Sequence, residues 1–385
     1  MKKLLLHIII GCLGMILLVG CSSPDEKANK LFVEASQLVK SAQEEEWNSY
    51  SDALKLYEDA LAKLERITSK YPSSQLAVKL VQNQAKIESY TIDEFKETII
   101  PQVKTKAEAE ENPLTCAFFV AKMIEKAYSK SSALADIAGK YAESGQKEKA
   151  LEILSQALQV SQTIENAWKK NGVLADIAEK YAKAGQYEQA LQVAKTIEDA
   201  YYKSLALADI AEKYVEAEQK DKAFEVLTQA LQVSQTIEGD WDKFRVLADI
   251  AGKYSEAGQY EQALQVTQTI EDAYFKSSAL ADIAEKYVEA GQKDKALEIL
   301  SQAIQVSQTI EDSWDKSSAL ADIAVKYAEV GQYEQALQVA KTIEDAYFKS
   351  SALADIAGKY SEAGKRVDER VKKILHEIIR VTELM

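Results

Sequence analysis

In 385 residues there are two histidines, three cysteines and four prolines. His7 and Cys12 sit in an apolar leader and Cys21 closes it, so beyond that point only Cys116 and His376 are left, far apart in sequence. A His or Cys metal centre needs several such ligands, and a Ser-His-Asp or Cys-His set needs a histidine beside its nucleophile. One of each supports neither. Nor can Cys116 alone close an intramolecular disulfide, so stability has to come from packing. A glycine-rich phosphate loop is missing too, because the glycines occur singly. Basic charge is also short. Without Lys2 and Lys3, 45 basic residues face 61 acidic ones, a formal charge of −16. Such a surface repels nucleic acid and favours a basic partner. These shortages point away from an enzyme, and no cofactor and no metal are expected.

The chain opens with Lys2 and Lys3 followed by an apolar run from Leu4 to Gly20, the pattern of a secretory signal. The run ends in Leu18-Val19-Gly20-Cys21 and then Ser22, which resembles the lipobox of bacterial lipoproteins. The resemblance implies cleavage after Gly20, diacylglycerol on the Cys21 sulfur and a further acyl chain such as palmitate on the new terminus. Three chains would anchor the protein firmly, at about 0.8 kcal/mol per buried methylene. Ser22 in place of Asp points to the outer membrane in a two-membrane cell.

The motif LADIA begins at Leu134, Leu174, Leu207, Leu247, Leu280, Leu320 and Leu353, with spacings alternating between 40 and 33 residues. The period is therefore a 73-residue pair. Leu280, Ile283, Ala284 and Tyr287 share one helix face, and Ala296, Leu297, Leu300, Ala303 and Ile304 form a second stripe. Gly291-Gln292 between them supplies a helix stop. Each unit is thus a helical hairpin with more apolar face than it can bury alone. The short units lack seven residues in the second half, nearly two turns, so the second helix should lengthen by about 10 Å in long units without losing register.

Leu174, Ile177, Ala178, Tyr181, Gly185 and Ala190 resemble the pattern of the tetratricopeptide repeat, over about Ala117 to Gly364. The resemblance implies an all-α, right-handed solenoid of hairpins. The family's usual proline after the second helix is absent, and the 40-residue units exceed its norm. Some members grip a peptide carboxylate with lysine and asparagine in the groove along the first helices. The matching places here hold Ala135, Gly139, Ala142, Ala175, Ala182 or glutamate, so a clamp of that kind is not expected.

Four segments follow: a signal peptide over 1–20, a polar tether and helical N-terminal cap over 21–112, the solenoid over 113–364 and a capping helix over 365–385. Pro101 and Pro113 should break the helix before the array, and Tyr50 to Pro72 should form one helix of the cap. Val367, Val371, Ile374, Leu375, Ile378 and Leu384 give the last segment an apolar stripe.

Two further patterns repeat. Asp136, Asp176, Asp209, Asp249, Asp282, Asp322 and Asp355 each precede a lysine by four residues, suggesting exposed ion pairs along the first helices. An aromatic residue stands just before each LADIA helix: Tyr128, Trp168, Tyr201, Trp241, Tyr274, Trp314 and Tyr347. One reading makes each ring a plug at the joint between hairpins; the other makes Trp168, Trp241 and Trp314 evenly spaced anchors for an extended partner.

The expected protein is an envelope lipoprotein that holds other envelope proteins along a repeat surface, with glycan or small-ligand binding as the competing reading. Replacing Cys21 with Ser should shift the protein from the membrane to the soluble fraction of lysed cells. A Cys21→Ser chain that still sediments with membranes would refute the anchor.

Overall fold

The computed structural model describes residues 23–364 and 367–383, so the signal peptide, Cys21 and Leu384 lie outside the described residues. The chain forms two compact units that divide after Ile124.

In the first unit, α1 (Pro24–Glu45) and α2 (Tyr50–Lys70) pair as a hairpin. Ser23 and Ser49 cap them by accepting the Glu26 and Asp52 amides, which gives two otherwise orphaned donors a partner. Because α1 starts at Pro24 and buries Ala28, the polar stretch expected as a tether is helical instead. After α3 (Gln75–Val81) comes α4 (Ile92–Glu94), held by a Thr91/Glu94 capping box. It runs on through a π-helical turn, Phe95–Ile99, into α5 (Ile100–Glu111). Here the structure corrects an expectation. Pro101 does not break the helical run: it stands in the first turn of α5, where a residue without an amide is tolerated, just after a π turn in which the Ile100 amide bonds back to the Phe95 carbonyl. Pro113 does begin a new element, α6 (Pro113–Lys122), with Asn112 accepting the Leu114 and Thr115 amides. This helix packs on α5 within the first unit. The core joins Val39, Tyr57, Leu64, Ile67, Leu80, Ile87 and Phe95.

The second unit is the array. Its hairpins are α7 (Ala127–Glu143) with α8 (Lys147–Ser161), α9 (Ala167–Lys183) with α10 (Tyr187–Thr196), and α11 (Ala200–Glu216) with α12 (Lys220–Ser234). They continue as α13 (Asp240–Glu256) with α14 (Tyr260–Gln268), α15 (Ala273–Glu289) with α16 (Lys293–Ser307), and α17 (Ser313–Glu329) with α18 (Tyr333–Thr342). A last first helix, α19 (Ala346–Glu362), precedes α20 (Glu369–Glu383). The fold is an all-α, tetratricopeptide-like solenoid: each first helix packs on the first helices before and after it, and each second helix on its own partner and the next first helix.

Every first helix has 17 residues, whereas second helices have 15 in long units and 9 or 10 in short ones. The seven extra residues are therefore shared between helix and following loop, and the helix gains about 7.5 Å instead of 10 Å. Most of the predicted stripes are buried: Ile283, Ala284, Ala296, Leu300 and Ala303 have no exposed surface, but Leu297 and Ile304 are half-buried and Ile299 takes a core place instead.

The joints alternate as well. Tyr187 opening α10 stacks on Tyr214 of α11 at 4.1 Å, and Tyr260 on Tyr287 at 4.2 Å, each hydroxyl donating to a backbone carbonyl of the helix it meets. At the other joints the Tyr254 and Tyr327 hydroxyls instead lie 3.3 Å from those of Thr228 and Ser301. At the end of the array α20 packs on α18, burying Val371, Ile374 and Ile378 and pairing Glu377 with Lys341 at 2.6 Å.

The turn after each first helix needs a left-handed residue, and six glycines supply it at φ between 63° and 84°. Glu218 fills the same place after α11 at φ 59°, where a Cβ crowds the backbone. Glu218→Gly is expected to stabilise the array by about 1 kcal/mol, measured by denaturant unfolding. A destabilised variant would show that Glu218 makes a compensating contact.

Candidate functional site

The aromatic edge stands at the starts of the first helices. Asp199, Asp272, Asp312 and Asp345 stop the chain before α11, α15, α17 and α19 by accepting amides from the first turn, and Asn166 does the same for α9, whereas Lys126 before α7 and Gly239 before α13 make no side-chain cap. Where a side chain caps, it fixes the helix entry, and the residue two places after the cap position is always the aromatic one.

The tryptophans are not joint plugs. Trp168 is 65% exposed, Trp241 61% and Trp314 58%. Each lies edge-on to a ring of the following unit instead: Trp168 to Tyr202 at 5.7 Å, Trp241 to Phe275 at 5.5 Å, Trp314 to Phe348 at 5.0 Å. Those rings in turn meet Tyr201, Tyr274 and Tyr347 at 5.2–5.4 Å. The plug role falls to Tyr187/Tyr214 and Tyr260/Tyr287, of which the spacing argument passed over Tyr187 and Tyr260. Their signal was the Tyr that follows Gly-Gln in short units, where long units carry Lys. Two cations share the edge: the Arg245 guanidinium lies 5.5 Å from Trp241 and 5.9 Å from Tyr201, and the Lys169 ammonium 5.2 Å from Tyr128.

The acidic column also differs from its expectation. Among the described residues, ion pairs of the recurrent lysines go to glutamate, not to the aspartate four residues back. Lys183 reaches Glu143 at 2.6 Å, while Lys253 and Lys326 reach back to Glu212 and Glu285, so these pairs tie successive first helices together. The aspartates are left crowded. Burial, with Asp249 and Glu179 nearby, pushes Asp209 up to about 7. Burial pushes Asp282 up to about 6 despite Lys326, and the Asp249 Oδ2 atom is buried without a hydrogen-bond partner. Glu212 goes the other way: burial would raise it, but the Lys213 and Lys253 ammonium groups hold it down to about 2.

Chemistry is sparse elsewhere. Cys116 is exposed and free, and His376 is exposed in the other unit. Among the described residues no group of three or more His, Cys, Asp or Glu is placed to hold a metal ion, and no helix is long and apolar enough to cross a membrane.

No family model and no curated protein matches the chain. Solved structures with some likeness include Ton1535 from Thermococcus onnurineus, at 17% identity over 85% of this chain and 99% of that one, TM-score 0.29. A signal transduction ATPase with a tetratricopeptide repeat sensor from Pyrococcus horikoshii shares 17% identity over 94% of this chain and 53% of its own, TM-score 0.32. The Rap protein complexed with Competence and Sporulation Factor shares 13% over 92% and 98%, TM-score 0.34.

The raised aspartates have a measurable consequence. Their folded pKa lies above the unfolded value, so the native state holds more protons between about pH 4 and 7 and stability falls as pH rises through that window. Glu212 has the opposite sign, and its contribution is lost only as pH falls below about 4.5. Thermal melting should therefore peak near pH 4 to 4.5 and decline towards pH 7. Asp209→Asn should raise the melting temperature at pH 8 and have little effect at pH 5. Wild-type stability that climbs steadily from pH 5 to 8 would contradict the crowded column.

Proposed function

We propose that this chain is a lipid-anchored scaffold that holds partner proteins of the cell envelope along the aromatic edge of its array. The observation that carries the reading is the row of tryptophans at 58–65% exposure, repeated every 73 residues in the first turn of a first helix. A large ring left in water at one place is unremarkable, but the same ring on the same edge three times gives an evenly spaced set of anchors of the residue type richest in binding hot spots. The neighbouring rings add rigid contact area at little entropic cost. The anchored part of the proposal is supported by the leader and Cys21 of the sequence. Among the described residues, one exposed cysteine, one histidine and carboxylates facing one another offer no nucleophile with a base beside it, which favours binding over catalysis.

A photo-crosslinking amino acid placed in turn at Trp168, Trp241 and Trp314 in living cells should yield protein adducts. The exposed second-helix positions Gln159, Gln232 and Gln305, which follow the same 73-residue period, should not. Trp→Ala at the edge should lower the melting temperature by no more than about 2 °C, because the rings lose little burial. Equal adducts from both sets, or from neither, would defeat the scaffold reading, and a melting loss of the size of a core truncation, about 3 kcal/mol or more, would restore the plug.

A further inference from the structure

The repeat period lets one part of the edge be compared with another. Each long unit offers a tyrosine and the following short unit a tryptophan, giving three equivalent slots: Tyr128/Trp168, Tyr201/Trp241 and Tyr274/Trp314. The helices that carry the second and third slots are of equal length, and the ring pairs that flank them, Trp241–Phe275 at 5.5 Å and Trp314–Phe348 at 5.0 Å, repeat.

The middle slot is filled by the chain itself. Arg245 lies within 5.9 Å of both rings, and Asp199, Asp242 and Asp249 are close enough to act on Tyr201. In the first slot Lys169 takes the cation's part over Tyr128, and lysines 126 and 169 stand where the middle slot has Asp199 and Asp242. The third slot keeps all three acids, as Asp272, Asp315 and Asp322, but has Ser318 in place of Arg245. Among the described residues no cation lies over Tyr274 or Trp314. The acids there already press on one another: burial and then the charges of Asp312 and Asp272 raise the Asp315 carboxyl. Nearby Lys276 and Lys316 do not account for the difference, because their counterparts Lys203 and Lys243 stand beside the middle slot, which still takes an arginine.

We propose that Tyr274 and Trp314, with Asp272, Asp312 and Asp315, form a docking slot for an arginine side chain of a partner protein, seated as Arg245 is seated in the middle slot. Arginine suits the place better than lysine, since its planar guanidinium stacks on rings while donating sideways to carboxylates. The slot rests on the scaffold reading and names the chemistry by which that edge selects a partner.

The test uses the full chain in detergent with 5-fluorotryptophan at its four tryptophans, each ¹⁹F resonance assigned by Trp→Phe substitution. The probe is a glycine-serine peptide bearing one arginine, against the same peptide with neutral citrulline. The Trp314 resonance should shift saturably with the arginine peptide, at least about tenfold more tightly than with citrulline, while Trp168 and Trp241 stay still. Ser318→Arg should abolish the response, and Arg245→Ser should make Trp241 respond as well. An unmoved Trp314, an equal response to citrulline, or binding that survives Ser318→Arg would overturn the slot. If edge crosslinks persist in that case, the scaffold reading stands and only the arginine assignment falls; if they are absent too, both fall.

Discussion

Each hairpin of the array has more apolar surface than its own two helices can cover, so no unit is stable without the next. This one requirement sets most of what the rest of the structure can vary. A first helix is packed on both sides by other first helices, with Ala178, Ala211, Ala251, Ala284 and Ala324 fully buried where they approach. Its length is consequently the same in every copy. A second helix is held by its own partner and the next first helix, so it can gain five or six residues in alternate units without disturbing the layer beneath.

That freedom makes two kinds of joint. Where a short second helix meets a long unit, a tyrosine at its start stacks on the tyrosine closing the next first helix. Where a long second helix meets a short unit, the same tyrosine position meets a hydroxyl from the middle of that helix. Electrostatics follows the packing. Bringing first helices side by side stacks their aspartates, and Lys253, Lys326 and Lys359, each four residues after one of them, reach back to glutamates of the preceding unit instead. The array thus gains cross-links between units while leaving carboxylates crowded, and its pH dependence comes from that trade.

The hairpins, their boundaries and their buried stripes were legible because helical periodicity is local and was repeated seven times. What could not be read were facts about neighbours. The Asp-to-Lys spacing is ideal on an isolated helix, but the acid that Lys253 and Lys326 each meet most closely lies on a different helix, 41 residues away in sequence. Trp168, Trp241 and Trp314 were found as a pattern, yet whether they face the joint or the solvent depends on where the cap aims the first turn. Pro101 is a breaker by its chemistry, yet it stands in the first turn of α5, just after a π turn, and the helical run continues.

Copies this similar also separate packing from surface. Positions such as Ile177, Ile210, Ile250, Ile283 and Ile323 are the same in successive units because the same hole must be filled each time. The edge is under no such demand, and there the units differ: Gly172, Arg245 and Ser318 occupy one equivalent place, and Lys169, Asp242 and Asp315 another. The difference runs in one direction. The first slot carries Lys126 and Lys169, the middle one an arginine among three acids, and the last one the acids without an arginine. A row of like rings would bind an extended chain in either orientation, but rings graded in charge favour one, since reversing a charged segment sets its cations against Lys126 and Lys169 and forfeits Asp272, Asp312 and Asp315.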